Sequence, residues 1–363
     1  MDGRRLIPAL ALASALGLAT AGLTGCATDD DGRTGDGKVK VTAAFYPMAF
    51  LAERIGGDHV TVTNLTKPGA EPHDLELSPK QTGQLSEAGL IVYLKGIQPA
   101  VDEAVQQSGA EHVAEASRFT KLEDHGSSVH GHDHGDHDGE EHEGDKHEDD
   151  HGDEHSDDHG DEHKDEKDGD HGDGEKKSEE DDHGHDHDDE GGPDPHVWLD
   201  PAKYAEVAKG VGRELAKSDP DHEDDYQKNT DALVKRLQKL DKEFRSGLTK
   251  RKTSTFITTH AAFGYLAERY GLHQEAISGI SPEAEPSAAR MKELHRTAEK
   301  DRVNTVFFET LASDRTARTL AKDLDLRTDV LDPLEGVRNP KKEDYFSVMQ
   351  KNLTALRKAL NGG

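Results

Sequence analysis

One cysteine in the whole chain, Cys26, leaves no disulfide framework to be built. Outside a single histidine-rich run there is no His-Glu-x-x-His pair, so the zinc-hydrolase helix of that type is missing. The one N-terminal apolar stretch, residues 6–22, is short for a membrane-spanning helix. The chain also lacks a basic face: outside residues 123–190 its net charge is only about −3, which gives no footprint for nucleic acid.

What is present is dominated by residues 123–190. That run holds 15 of the 23 His and 32 of the 75 acidic residues against 5 Lys, so it carries −27 of the formal −30. It has almost nothing apolar to bury and cannot offset its own ordering entropy. A solvated acidic linker is the plain explanation for such a run. Imidazoles every two to four residues go beyond what a linker needs, and neutral imidazole suits zinc, copper and nickel. The run, His130, His132, His134, His137, His183, His185 and His187 included, is therefore expected to be disordered without metal. It is expected to take up several ions, each more loosely than a preorganised site would.

Arg4 and Arg5, the apolar stretch 6–22 and Leu23-Thr24-Gly25-Cys26 read as a secretion signal ending in a lipobox. Cys26 would then be lipidated and hold the protein on the extracytoplasmic face of a membrane. The expected organisation follows. Residues 1–25 are a signal, 26–38 a flexible tether and 39–220 a first lobe interrupted by a disordered loop at 123–192. Residues 221–249 form a linker helix, and 250–363 a second lobe.

Within the lobes, apolar strand-like runs alternate with helical patterns. Strands are expected at 39–45, 60–65, 90–94, 255–258, 303–308 and 328–331. Helices are expected at 48–55, 79–88, 99–107, 261–270, 288–300, 316–324 and 345–360. This alternation predicts an α/β fold with parallel-sheet cores. Residues 221–248 contain no Pro and no Gly before Gly247, which predicts one long, stiff helix between the lobes.

Three histidines outside the run sit at element junctions: His73 in EPHDLELSP, His196 in DPHVWLDP and His260 in TTHAAFGYL. In open α/β sheets, ligands bind beyond the carboxyl ends of strands. The junction LDPLEG adds Asp332 and Glu335, and three neutral imidazoles with one carboxylate make a four-ligand set typical of zinc. His59, His112, His222, His273 and His295 have no comparable setting and are read as structural.

The segments GAEPHDLELSP, DPHVWLDP, TTHAAFGYLAERYGL, ISPEAEPSAARMKEL, VFFET and LDPLEG occur in this order. With them, the chain from residue 39 onward resembles the zinc-specific solute-binding lipoproteins of bacterial ABC importers, of the cluster A-I metal-binding type. The resemblance implies two α/β lobes, a rigid connecting helix and a metal in the cleft between the lobes. It implies His73, His196 and His260 as ligands, with Glu335 favoured as the fourth and Asp332, Glu71 or water as alternatives. It implies Zn²⁺ as transported cargo, a membrane permease with its cytoplasmic ATPase as partner, a monomer, and no enzymatic reaction. A receptor for manganese or another divalent metal, a secreted zinc hydrolase and a simple metal buffer are the competing functions.

Overall fold

A computed structural model describes residues 32–125, 192–280, 282, 285–311 and 313–362. The signal, Cys26 and the seven named histidines of the acidic run lie outside the described residues.

The first lobe is built on four parallel strands, β1 (Val39–Ala43), β2 (Val60–Asn64), β3 (Leu90–Tyr93) and β4 (Val113–Glu115). They lie in the order β2-β1-β3-β4. Helices α1 (Tyr46–Gly56), α2 (Pro79–Ser86) and α3 (Pro99–Gln107) connect them. The inner strands are almost wholly buried, Lys40 of β1 being half-buried, as a sheet covered by helices requires, whereas β2 at the edge is partly exposed. Helix starts are chemically marked. Ser78 and Gln81 form a reciprocal capping box before α2, and Pro79 sits where a missing N–H does no harm.

The second lobe repeats the plan. Strands β5 (Thr255–Thr258), β6 (His273–Ala276), β7 (Thr305–Phe308) and β8 (Arg327–Val330) are parallel, in the order β6-β5-β7-β8. Between the two sheets the chain makes α4 (Pro201–Ser218) and α5 (Glu223–Gly247). After them come α6 (Gly264–Tyr270), α7 (Ala288–Lys300), α8 (Arg315–Asp323) and α9 (Tyr345–Leu360). The fold is thus the expected α/β pair of parallel sheets.

Helix α5 spans 25 residues, about 37 Å at 1.5 Å per residue. Tyr226, Thr230, Leu233, Val234, Leu237, Leu240 and Phe244 are buried, a single face at helical spacing. Through that face α5 packs on α1 and α4 and reaches α9 of the second lobe. Residues 220–222 form a short 3-10 turn rather than the first turn of this helix, because Pro220 and the Asp219 side chain organise the corner.

One expected boundary needs correction, and three elements were not expected. The pattern read as a helix from 261 begins only at Gly264, since residues 261–263 form the turn that carries His260 out of β5. Helix α4 and the edge strands β4 and β6 had no strong pattern. The strands contain only three and four residues and owe their conformation to sheet pairing.

One hydrophobic core runs through both lobes, from Val41 and Val92 in the first sheet to Phe256, Leu266 and Leu356 in the second lobe. A smaller core lies between the second sheet and α7 and α8. At the centre of the large core, Trp198 packs edge-on against Phe45 at 5.1 Å, and Tyr204 lies 4.7 Å from Tyr345. Polar ends of these rings tie the lobes together. Trp198 Nε1 donates to the Pro333 carbonyl at 2.7 Å, and Tyr345 Oη donates to the Trp198 carbonyl at 2.8 Å.

Trp198→Phe leaves the Pro333 carbonyl buried without its donor. The expected destabilisation is about 1–3 kcal/mol, read from the urea midpoint at unchanged m-value. An unmoved midpoint would show that this bond does not brace the lobes.

Candidate metal site

The two sheets place four side chains in one spot. His73 follows β2 on the long loop to α2, and His196 opens the 3-10 turn before α4. His260 leaves the end of β5, and Glu335 lies on the turn after β8. All three sheet-borne positions lie beyond strand carboxyl ends, where helices and strands leave room for a ligand. One ligand atom from each residue lies within 4.8 Å of the others.

The geometry is convergent. His196 Nε2, His260 Nε2 and His73 Nε2 stand 3.1, 3.2 and 3.4 Å from the same Glu335 oxygen, Oε1. His196, His260 and Glu335 are fully buried, while His73 keeps 12% of its side chain exposed and marks the open side. His260 Nε2 is close to Glu335 but has no hydrogen-bond partner, and Glu335 Oε2 has none either. Buried polar atoms are rarely left so. An ion bound among the four would satisfy both.

Each buried imidazole is oriented by a carboxyl group on its far side. Asp194 Oδ1 accepts from His196 Nδ1 at 2.8 Å and also from the His196 backbone N–H at 2.9 Å. Glu309, just after β7, contacts His260 Nδ1 and Thr259 Oγ1. In both arrangements the ring Nδ1–H donates to the carboxylate, which leaves Nε2 as the atom that faces a metal. Sequence reasoning assigned neither residue. Asp194 had only its place two residues before His196 as a hint, and Glu309 only its place in VFFET.

The electrostatics match this picture. Burial alone would raise the Glu335 carboxyl, but His196, His260 and His73 hold it well below the usual carboxylate range. Burial would lower the His260 imidazole, yet Glu309 and then Glu335 push it well above the ordinary value. His196 is likewise raised against its burial, first by Asp194 and then by Glu335. In the metal-free protein His196 and His260 therefore favour the protonated form that a metal would displace.

The alternative ligands have other partners. Asp332 is a turn residue: its Oδ1 accepts from Leu334 N and its Oδ2 from Thr310 Oγ1, each at 2.8 Å. That bond holds Leu334 at φ +59°, a left-handed conformation unfavourable for a side chain with a Cβ. The strained turn is what aims Glu335 inward. Glu71 lies beside the group and accepts from His73 N at 3.2 Å. Burial, and then the charge of Glu335, push its carboxyl up to about 8, so it is a neutral acid at neutral pH. A cavity of about 590 Å³ on the other side of the 332–338 turn, lined in part by Thr310, Asp332 and Asn352, contains none of the four residues.

Comparisons with known proteins agree with this architecture. The family model described as zinc-uptake complex component A, periplasmic, matches residues 41–359. The zinc-binding lipoprotein AdcA of Streptococcus pneumoniae (strain ATCC BAA-255 / R6) is 33% identical over 329 residues. That match covers 89% of this chain but only 56% of the relative, so the chain spans little more than half its length. The high-affinity zinc uptake system protein ZnuA of Bacillus subtilis (strain 168) is 32% identical over 330 residues, covering 89% of this chain and 88% of that one. A crystal structure of Zn(II)-bound AdcA from Streptococcus pneumoniae superposes with a TM-score of 0.65 at 30% identity, over 90% of this chain and 58% of that chain. On this evidence the chain belongs to the zinc-uptake component A family.

Proposed function

We propose that this protein is the extracytoplasmic zinc-binding receptor of an ABC importer. It captures one Zn²⁺ in the cleft on His73, His196, His260 and Glu335, and delivers it to a membrane permease driven by a cytoplasmic ATPase. The observation that carries this reading is the convergence of three imidazole Nε2 atoms on one buried carboxylate. Four ligands of this kind close a tetrahedral shell, as suits a metal that is held rather than used. A hydrolase would need an open position and a nearby base. The third imidazole favours zinc over manganese, which prefers oxygen donors. The names of the relatives, a zinc-binding lipoprotein among them, agree with a lipid-anchored protein whose anchor is Cys26. The His-rich run collects ions near the cleft when zinc is scarce.

Capture exchanges protons for metal. The carboxyls of Asp194 and Glu309 keep the rings oriented before the ion arrives, so little is spent on ordering them. Release then requires that the ligand set be pulled apart. The shared core of the two lobes opposes a free hinge between them.

His196→Ala removes a ligand and should weaken zinc binding at the tightest site by more than about 100-fold, the upper range for loss of even an outer-shell partner. His222→Ala is the control. That ring stacks on His59 and pairs with Asp219, neither of them a cleft ligand, and its loss should leave the affinity within about threefold. Competition against a chromophoric chelator measures both. Equal losses would overturn the assignment.

Zinc affinity should fall as pH is lowered, by about tenfold per pH unit for each proton displaced. His260 and His196 bind protons more tightly than ordinary imidazoles in the metal-free fold, so the fall begins above pH 6.5. Affinity rises with pH until both rings are neutral without metal. A flat profile between pH 6 and 8 would contradict the proton-for-metal exchange.

A further inference from the structure

Glu123, His125 and Glu268 form a second converging group outside the cleft, with ligand atoms within 4.8 Å of one another. His125 Nε2 lies 2.8 Å from Glu268 Oε2 and 4.0 Å from Glu123 Oε2. Its Nδ1 is 2.9 Å from Oδ2 of buried Asp194. A carboxylate on Nδ1 with Nε2 facing open carboxylates is the arrangement that prepares an imidazole to bind a metal. The Glu123 and Glu268 side chains are 31% and 61% exposed, so an ion can reach them from solvent.

The place is built rather than incidental. Tyr265 Oη accepts from Glu123 N and donates to the Asp194 carbonyl, each at 2.7 Å, and its ring lies 4.2 Å from that of His125. Position 264 is glycine where a Cβ would stand 2.4 Å from His125 Cβ and 2.8 Å from Asp194 Oδ2. No other residue leaves His125 where it is. Lys203 Nζ sits 3.1 Å from Glu123 Oε1, leaving Oε2 toward the imidazole.

We propose that Glu123, His125 and Glu268 form a second divalent-metal site, a surface clasp that ties the foot of the His-rich run to α6. One nitrogen and two carboxylate oxygens suit a borderline ion of the zinc class, with water completing the shell. Two exposed ligands make it weaker than the cleft. Glu123 and His125 stand at the very start of the run, and Glu268 belongs to the second lobe, so a bound ion joins the two across the chain. Asp194 is shared: Oδ2 holds His125 and Oδ1 holds His196, so clasp and cleft stand on opposite sides of one carboxylate. The site does not depend on what the cleft binds, and zinc serves as the probe for both.

Hydrogen exchange on the full chain tests it. Protein first given one equivalent of Zn²⁺ is titrated with more, and amides of residues 264–270 are followed. Exchange there should slow about tenfold once free zinc is about ten times the Kd of the clasp. Glu268→Gln and Glu123→Gln, both at exposed carboxylates, should each abolish this second slowing while keeping the response to the first equivalent. Zinc anomalous maps of crystals grown at the same loading should show a peak among the three side chains. Second-stage slowing that survives both substitutions, no second-stage slowing in the unsubstituted chain, or anomalous density confined to the cleft would overturn the clasp. Failure of the cleft reading looks different, since it removes the response to the first equivalent.

Discussion

A carboxylate with no exposure to water, Glu335, faces three imidazoles, and the rest of the molecule is arranged around that contact. Burying a charge is strongly unfavourable unless it is paired. Here three imidazoles from widely separated parts of the chain pair with one oxygen. Asp194 and Glu309 add further carboxylates behind two of them. Protons held more firmly on His196 and His260 offset this excess in the metal-free protein. A divalent cation would balance it better, because it also engages the polar atoms that have no partner.

The scaffold explains how such a site persists. Trp198, two residues after His196, bonds to Pro333, two residues before Glu335. Tyr345 at the start of α9 bonds back to Trp198, so one chain of hydrogen bonds links a ligand of each lobe to the common core. The strained Leu334 is tolerated because Asp332, Asn352 and the core fix the turn on every side. Rigidity of this kind favours preformed ligands over large closure. Of the four residues only His73 is partly open to solvent.

Much of this was legible in the sequence, and the failures have physical reasons. Strand β3 is a buried apolar run, and β1 and β5 are built round buried Val, Phe and Ile, so all three stand out; β4 and β6 are edge strands whose polar residues show no period. Helix α4 was missed because Gly210 and Gly212 interrupt its pattern. In the structure Gly212 lets α4 approach Thr230 of α5, where a Cβ would stand 2.3 Å from Oγ1. His73, His196 and His260 stood out because each occupies a junction beyond a strand or before a helix. Glu335 and Asp332 could not be separated by spacing, as only the turn geometry shows which one points inward. Asp194, Glu309 and His125 depend on which ring nitrogen faces which carboxyl, and no one-dimensional pattern records that.

The most direct test of the account is zinc K-edge X-ray absorption on the full chain given one equivalent of Zn²⁺. The account predicts three imidazole nitrogens at about 2.0–2.1 Å and carboxylate oxygen at about 2.0–2.2 Å. It also predicts that the oxygen contribution changes in Glu335→Gln. An all-oxygen shell, four imidazoles drawn from the His-rich run, or a spectrum indifferent to Glu335→Gln would contradict it.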